Sequence, residues 1–210
     1  MSLITSLSTS QIAALTTTTV SALGTADWAA FNTAQIQALT TAQVGAISST
    51  ALSAIGTAQI AAMTTSDFAA LTTTGLHGLS STQIGALGTD QVASMTSSQF
   101  ASLATAQVQA LTTAQVASLT TTEVHALTTN QTAALSTAQV ASLTTDQVAA
   151  ISTADLRAIT TTAFTALGSD QLNALGTSQI LALTSQEVTS LTTTQLSALG
   201  TATLDAFATS

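Results

Sequence analysis

Leu111-Thr112-Thr113-Ala114-Gln115-Val116-Ala117-Ser118 is one copy of an eight-residue unit that recurs from Leu7 to Ala206. Twenty-five such octads fit between residues 7 and 206 without insertion or deletion. Position 1 is always large and apolar, as in Leu15, Phe31, Ile47 and Met63. Position 6 is apolar in every copy except one, where Thr132 stands. Position 3 is always Thr or Ser, and position 8 is always Ala, Ser or Gly. Position 7 varies most, holding Gln37, His77, Gln109, His125, Arg157, Asn173 and Asp205.

A period of eight suits no continuous regular element. Eight residues of α-helix leave the apolar stripe about 80° out of register. In a strand, positions 1 and 6 have opposite parity and would face opposite sides. The chain must therefore turn inside every octad.

Positions 2 to 5 say how. Position 2 is Thr, Ser, Gly or Asn everywhere except Ala104, and Gln, Glu or Asp follows three residues later in most copies. That is the signature of a capping box. The apolar residues at positions 1 and 6 flank it as a hydrophobic staple. The pattern predicts a helix of roughly six residues per octad, started by pairs such as Thr112 and Gln115. The greater regularity of position 3 leaves two readings open: a cap one residue later, or a hydroxyl bonded to a neighbouring unit. Helices this short are marginal alone, so stacking must hold them. The expected fold is an all-α solenoid of very short helices, with positions 1 and 6 inward and positions 4 and 7 facing water. A β-solenoid is the alternative, but Ala and Gln disfavour strands.

The longer rhythm is ambiguous. Gly24, Gly56 and Gly88 recur at intervals of four octads, as do Met63 and Met95. Phe68, Phe100 and Phe164 are separated by four octads and then by eight. These favour four octads per coil, or record a tandem duplication. Ser94, Ser118, Ser142 and Ser190 are separated by multiples of three octads, which leaves three octads per coil open. The domain reading is a partial repeat at 1–6, a single array at 7–206, and a partial repeat at 207–210.

Composition narrows the function. Charged residues make up 5% of the chain, against about 25% in ordinary globular proteins. The 46% of hydrophobic residues are strictly phased, which argues for folding rather than disorder. The net charge of −8, with Arg157 as the single cation, argues against nucleic acid and against anionic membrane surfaces. No apolar run is long enough to span a bilayer. Cysteine is absent, so there is no disulfide framework or thiolate metal site. Residues 1–6 lack the features of a cleaved signal peptide, which also fits a piece of a longer chain.

No catalytic, cofactor or metal site is expected. His77 and His125 both occupy position 7 but stand six octads apart. Even on one side of a three-octad coil they would be two layers apart, at roughly 10 Å per layer. Asp27, Asp67 and Asp155 lie at position 5, and Asp90, Asp146 and Asp170 at position 4. They read as acids favoured by the helix dipole. Trp28 reads as core, marking the widest place inside the first coil. Thr132 reads as an inward hydroxyl bonded to a nearby carbonyl, with a small void beside it.

The units at 39–46, 103–118 and 135–150 resemble tandem octapeptide repeats of large bacterial secreted or surface proteins. That resemblance implies an extracellular or cell-surface role, structural or adhesive. The leading expectation is a non-enzymatic spacer, stalk or self-assembling fibre. The first and last octads look like interior copies rather than polar caps, which favours self-association end to end. The alternative is a Thr-lined surface that binds ice, carbohydrate or peptide, since rows of Thr resemble the ice-binding faces of antifreeze proteins.

Overall fold

The computed structural model describes residues 3–201 together with 204 and 205. The partial repeat at 207–210 lies outside the described residues, as do residues 1 and 2 of the partial repeat at 1–6. So do residues 202, 203 and 206 of the last octad. Among the described residues there are twenty-four α-helices and one 3-10 helix, Leu3–Ser6, and no strand. Each of the first twenty-four octads carries one α-helix, from Thr9–Ala13 to Thr193–Ala198.

Every one of these helices begins at position 3, which makes position 2 the N-cap. Thr112 is extended (φ −70°, ψ 159°), and its hydroxyl accepts from the Gln115 backbone N–H at 3.2 Å. Gln115 Oε1 accepts in return from the Thr112 N–H at 2.7 Å. The same reciprocal pair links Thr40 with Gln43 and Thr144 with Gln147. The corner itself is two extended residues between helices. Leu119 ends one helix at φ −58°, ψ 140°, and Thr120 starts the next at φ −72°, ψ 158°. No described residue has positive φ, so the corner needs no glycine.

Ala104 caps the helix Thr105–Gln109 without a side-chain hydrogen bond. Its Ser or Thr counterparts supply one, so Ala104→Ser should stabilise the protein by about 1 kcal/mol. A denaturant titration of the variant against the parent checks this. No gain would mean that the Ala104 carbonyl, which accepts from the Gln107 N–H at 2.9 Å, already satisfies it.

The chain divides into two compact units, Met1–Ala110 and Leu111–Ser210. Within each unit a helix packs on the helix three octads away. In the first unit, Thr9–Ala13 meets Thr33–Gln37 and Thr25–Ala30 meets Ser49–Ala54. In the second, Thr121–Ala126 meets Thr145–Ala150 and Thr137–Ala141 meets Thr161–Phe164. A coil therefore holds three octads. The expectation of four octads per coil is incorrect. The four-octad rhythm does not survive as geometry, because octads four apart fall on different sides of a three-sided coil.

The core is built from positions 1 and 6. Val44, Phe68, Leu76, Phe100, Val140, Val148 and Phe164 are fully buried. Trp28 is core as expected and stacks on Phe31, with ring centroids 4.9 Å apart. Thr132 is buried too, and its hydroxyl donates to the Thr128 carbonyl at 3.2 Å.

Candidate functional site

The most organised chemistry in the protein is the seam between successive coils. It is made by position 5, whose spacing in the sequence reads as that of a cap. Gln83 is buried, with Oε1 accepting from the Ser80 N–H at 2.7 Å. Its Nε2 faces the other way and donates to the Leu52 carbonyl at 2.8 Å and the Ile55 carbonyl at 2.6 Å. Both acceptors belong to the corner of the coil beneath. Gln43 reaches Ile12 and Leu15 in the same way, and Gln99 reaches Phe68 and Leu71. In the second unit Gln147 reaches Val116 and Leu119, and Gln179 reaches Val148 and Ile151.

The physical logic is the accounting of helix ends. The last carbonyls of a helix have no intrahelical partner, and a buried unpaired carbonyl is costly. One carboxamide solves both ends: its oxygen caps the helix it starts, and its nitrogen closes the corner below. A signal for this was present in the composition. A capping box accepts Glu as readily as Gln, yet position 5 holds Gln in fifteen octads and Glu in two. Only the amide carries a donor beyond the cap.

Other residues vary the joint. Gly75 has no side chain to space the coils, and a Cβ there would stand 3.2 Å from the Ile47 carbonyl oxygen. At position 7, His77 Nε2 lies 2.7 Å from the Ser102 carbonyl, which it meets as a donor, and Asn173 Nδ2 donates to the Ala198 carbonyl at 2.9 Å. The two histidines fall in different units, and His77 is engaged in this clip. Asp27 and Asp67 accept their N-cap backbone N–H groups, from Gly24 and Thr64. Asp155 instead accepts hydroxyls, from Ser152 and, at 2.9 Å, from Thr129 of the coil before. Asp90, Asp146 and Asp170 lie in the first turn of their helices, and all three are exposed. No three His, Asp or Glu side chains come together among the described residues.

Two acids break the pattern. Glu123 and Glu187 fill position 5, and each accepts through Oε2 from the N–H and hydroxyl of its cap, Thr120 and Thr184. Their Oε1 atoms are buried and have no hydrogen-bond partner. Burial pushes the Glu123 carboxyl up from its ordinary range, against the lowering effect of its bonds to Thr120.

The surface is carried by positions 2, 3 and 4, which are exposed in most octads. The position-3 hydroxyls are not caps. Among the described residues only Thr129 and Ser81 of this position bond another side chain or carbonyl of the protein. A shallow groove between the corners at Met63-Thr64 and Leu87-Gly88 is lined by Thr65, Thr89 and Asp90. No described helix is long and apolar enough to cross a membrane.

Short capped helices, three to a coil and tied by a buried amide, define a repeat protein of the short-helix solenoid class. The ALTTAQ repeat matches it five times, over residues 20–50, 45–73, 60–97, 121–153 and 148–185. The chain belongs to the ALTTAQ repeat family. Comparison with curated proteins and with solved structures returns no match.

Proposed function

We propose that the protein is a non-enzymatic structural array, an extracellular spacer or stalk able to self-associate. The observation that carries this reading is the repeated joint. The best-formed polar chemistry goes into binding coil to coil through Gln43, Gln83, Gln99, Gln147 and Gln179. Resemblance to bacterial secreted and surface repeats supports the location. The net charge of −8 supports the exclusion of nucleic acid as partner.

Small-angle scattering on chains shortened by one, two and three coils tests the spacer role. The longest dimension should fall by a constant step with each coil removed. An unchanged dimension would contradict it. Light scattering at high concentration tests self-association, and a strictly monomeric particle would remove that part.

A second reading has its own support in the position-3 hydroxyls, which are mostly exposed, always Thr or Ser, and nearly all unused within the protein. It makes one side of the coil a binding surface for ice, carbohydrate or peptide. Thermal hysteresis and glycan arrays address it. Replacing the position-3 Thr residues of one side by Ala should abolish binding while the helical spectrum persists.

A further inference from the structure

Glu123 is only 2% exposed, yet one of its two carboxylate oxygens has nothing to bond. Oε2 is taken twice, by the Thr120 N–H at 2.6 Å and the Thr120 hydroxyl at 2.8 Å. Oε1 occupies the place of the carboxamide nitrogen, which in the Gln octads points away from the cap as a donor. An acceptor thus stands where the repeat otherwise supplies N–H. Glu187, also 2% exposed, shows the same arrangement around Thr184. A buried ionised carboxylate with an unpaired oxygen is costly, and a single proton removes both the charge and the missing donor.

We propose that Glu123 is a proton-operated switch in the fold, which takes up a proton on Oε1 in mild acid and so removes a buried charge that has no partner. The fold is more stable with Glu123 protonated than with it ionised. The proton comes from solvent and returns to it, and no other bond changes. The charged or titratable groups nearby are His125, exposed two residues along the same helix, and Asp146, exposed on the packed helix Thr145–Ala150. A positive His125 would favour the ionised form and a negative Asp146 the protonated one.

The direction of the effect follows from linkage. The Glu123 carboxyl is raised in the folded protein. Its stabilising contribution is therefore full below the ordinary glutamate range and is lost as pH rises through the raised value.

The test uses Glu123→Gln in the full chain, which installs the residue that fifteen octads already use. Near neutral pH the variant should melt about 3 °C above the parent, and the gap should close to below about 1 °C near pH 4. The other acids titrate in both proteins and cancel from the difference. The gap should also persist in the backgrounds Asp146→Asn and His125→Gln. Carbonyl-carbon NMR supplies a second readout: the side-chain signal lost in Glu123→Gln should titrate above the ordinary glutamate range. A gap that does not change with pH, a variant less stable at neutral pH, or a signal that titrates at or below the ordinary range would each overturn the proposal.

Discussion

Replacing Gln83 by alanine is expected to destabilise the Met1–Ala110 unit by about 3 kcal/mol. The deletion strands the buried Ile55 carbonyl, removes the side-chain partner of the part-buried Ser80 N–H, and leaves the buried Leu52 carbonyl with only the Ile55 N–H at 3.3 Å. A buried polar group left unpaired costs roughly 1–3 kcal/mol, and water entering the gap recovers part of it. Gln83→Glu should separate the two halves of the role. The carboxylate keeps the bond to Ser80 N–H but loses both bonds to the corner below, and places an acceptor against two acceptors. Its penalty should exceed about 1 kcal/mol near neutral pH and shrink in acid. Urea unfolding followed by far-ultraviolet circular dichroism measures both. A neutral Gln83→Ala would mean that the amide joint contributes nothing to holding the coils.

Gly78→Ala is the second large effect, expected to cost about 3 kcal/mol. The reason is steric and local to one joint. An alanine Cβ at this position would stand 2.5 Å from the Ser49 carbonyl carbon and 2.7 Å from its Cα. These are backbone atoms and cannot rotate away. Position 8 accepts Ala or Ser in every other octad, so the exception needs a cause. Octad 71–78 has Gly75 in place of the spacing glutamine, and octad 47–54 beneath it has Ala51. Gly75 puts no carboxamide between the two coils, and Gly78 stands directly against the Ser49 backbone. Gly88→Ala is the control, since its Cβ would meet only Gln91 Oε1 at 3.6 Å. Equal penalties for the two variants would refute the close-approach argument.

These residues also show how far the sequence could be read. The turn in each octad followed from period eight alone, and so did the burial of positions 1 and 6. The hydroxyl-rich corner placed the cap within one residue, and the structure sets it at position 2, as in Thr112. The number of octads per coil was not legible at the most conspicuous markers. Gly24, Gly56 and Gly88 cap helices at exposed corners, where little of the neighbouring coil constrains them. The informative markers were at position 5, where coils touch. Ala51 and Gly75 stand three octads apart on one side of the coil. The preference for Gln over Glu announced a donor with a distant partner, but its distance along the chain is a packing result. Position-3 Thr was equally visible and remains without a structural partner in nearly every octad.

The central claim is that a buried carboxamide ties its octad to the corner of the coil beneath. Nuclear Overhauser contacts from the Gln83 side-chain amide protons, in segmentally labelled protein, test it most directly. The structure requires contacts to Leu52 and Ile55. Contacts instead to Val44 and Ile47, the corner that a four-octad coil would place there, would contradict the account, as would a freely exchanging amide with no long-range contact.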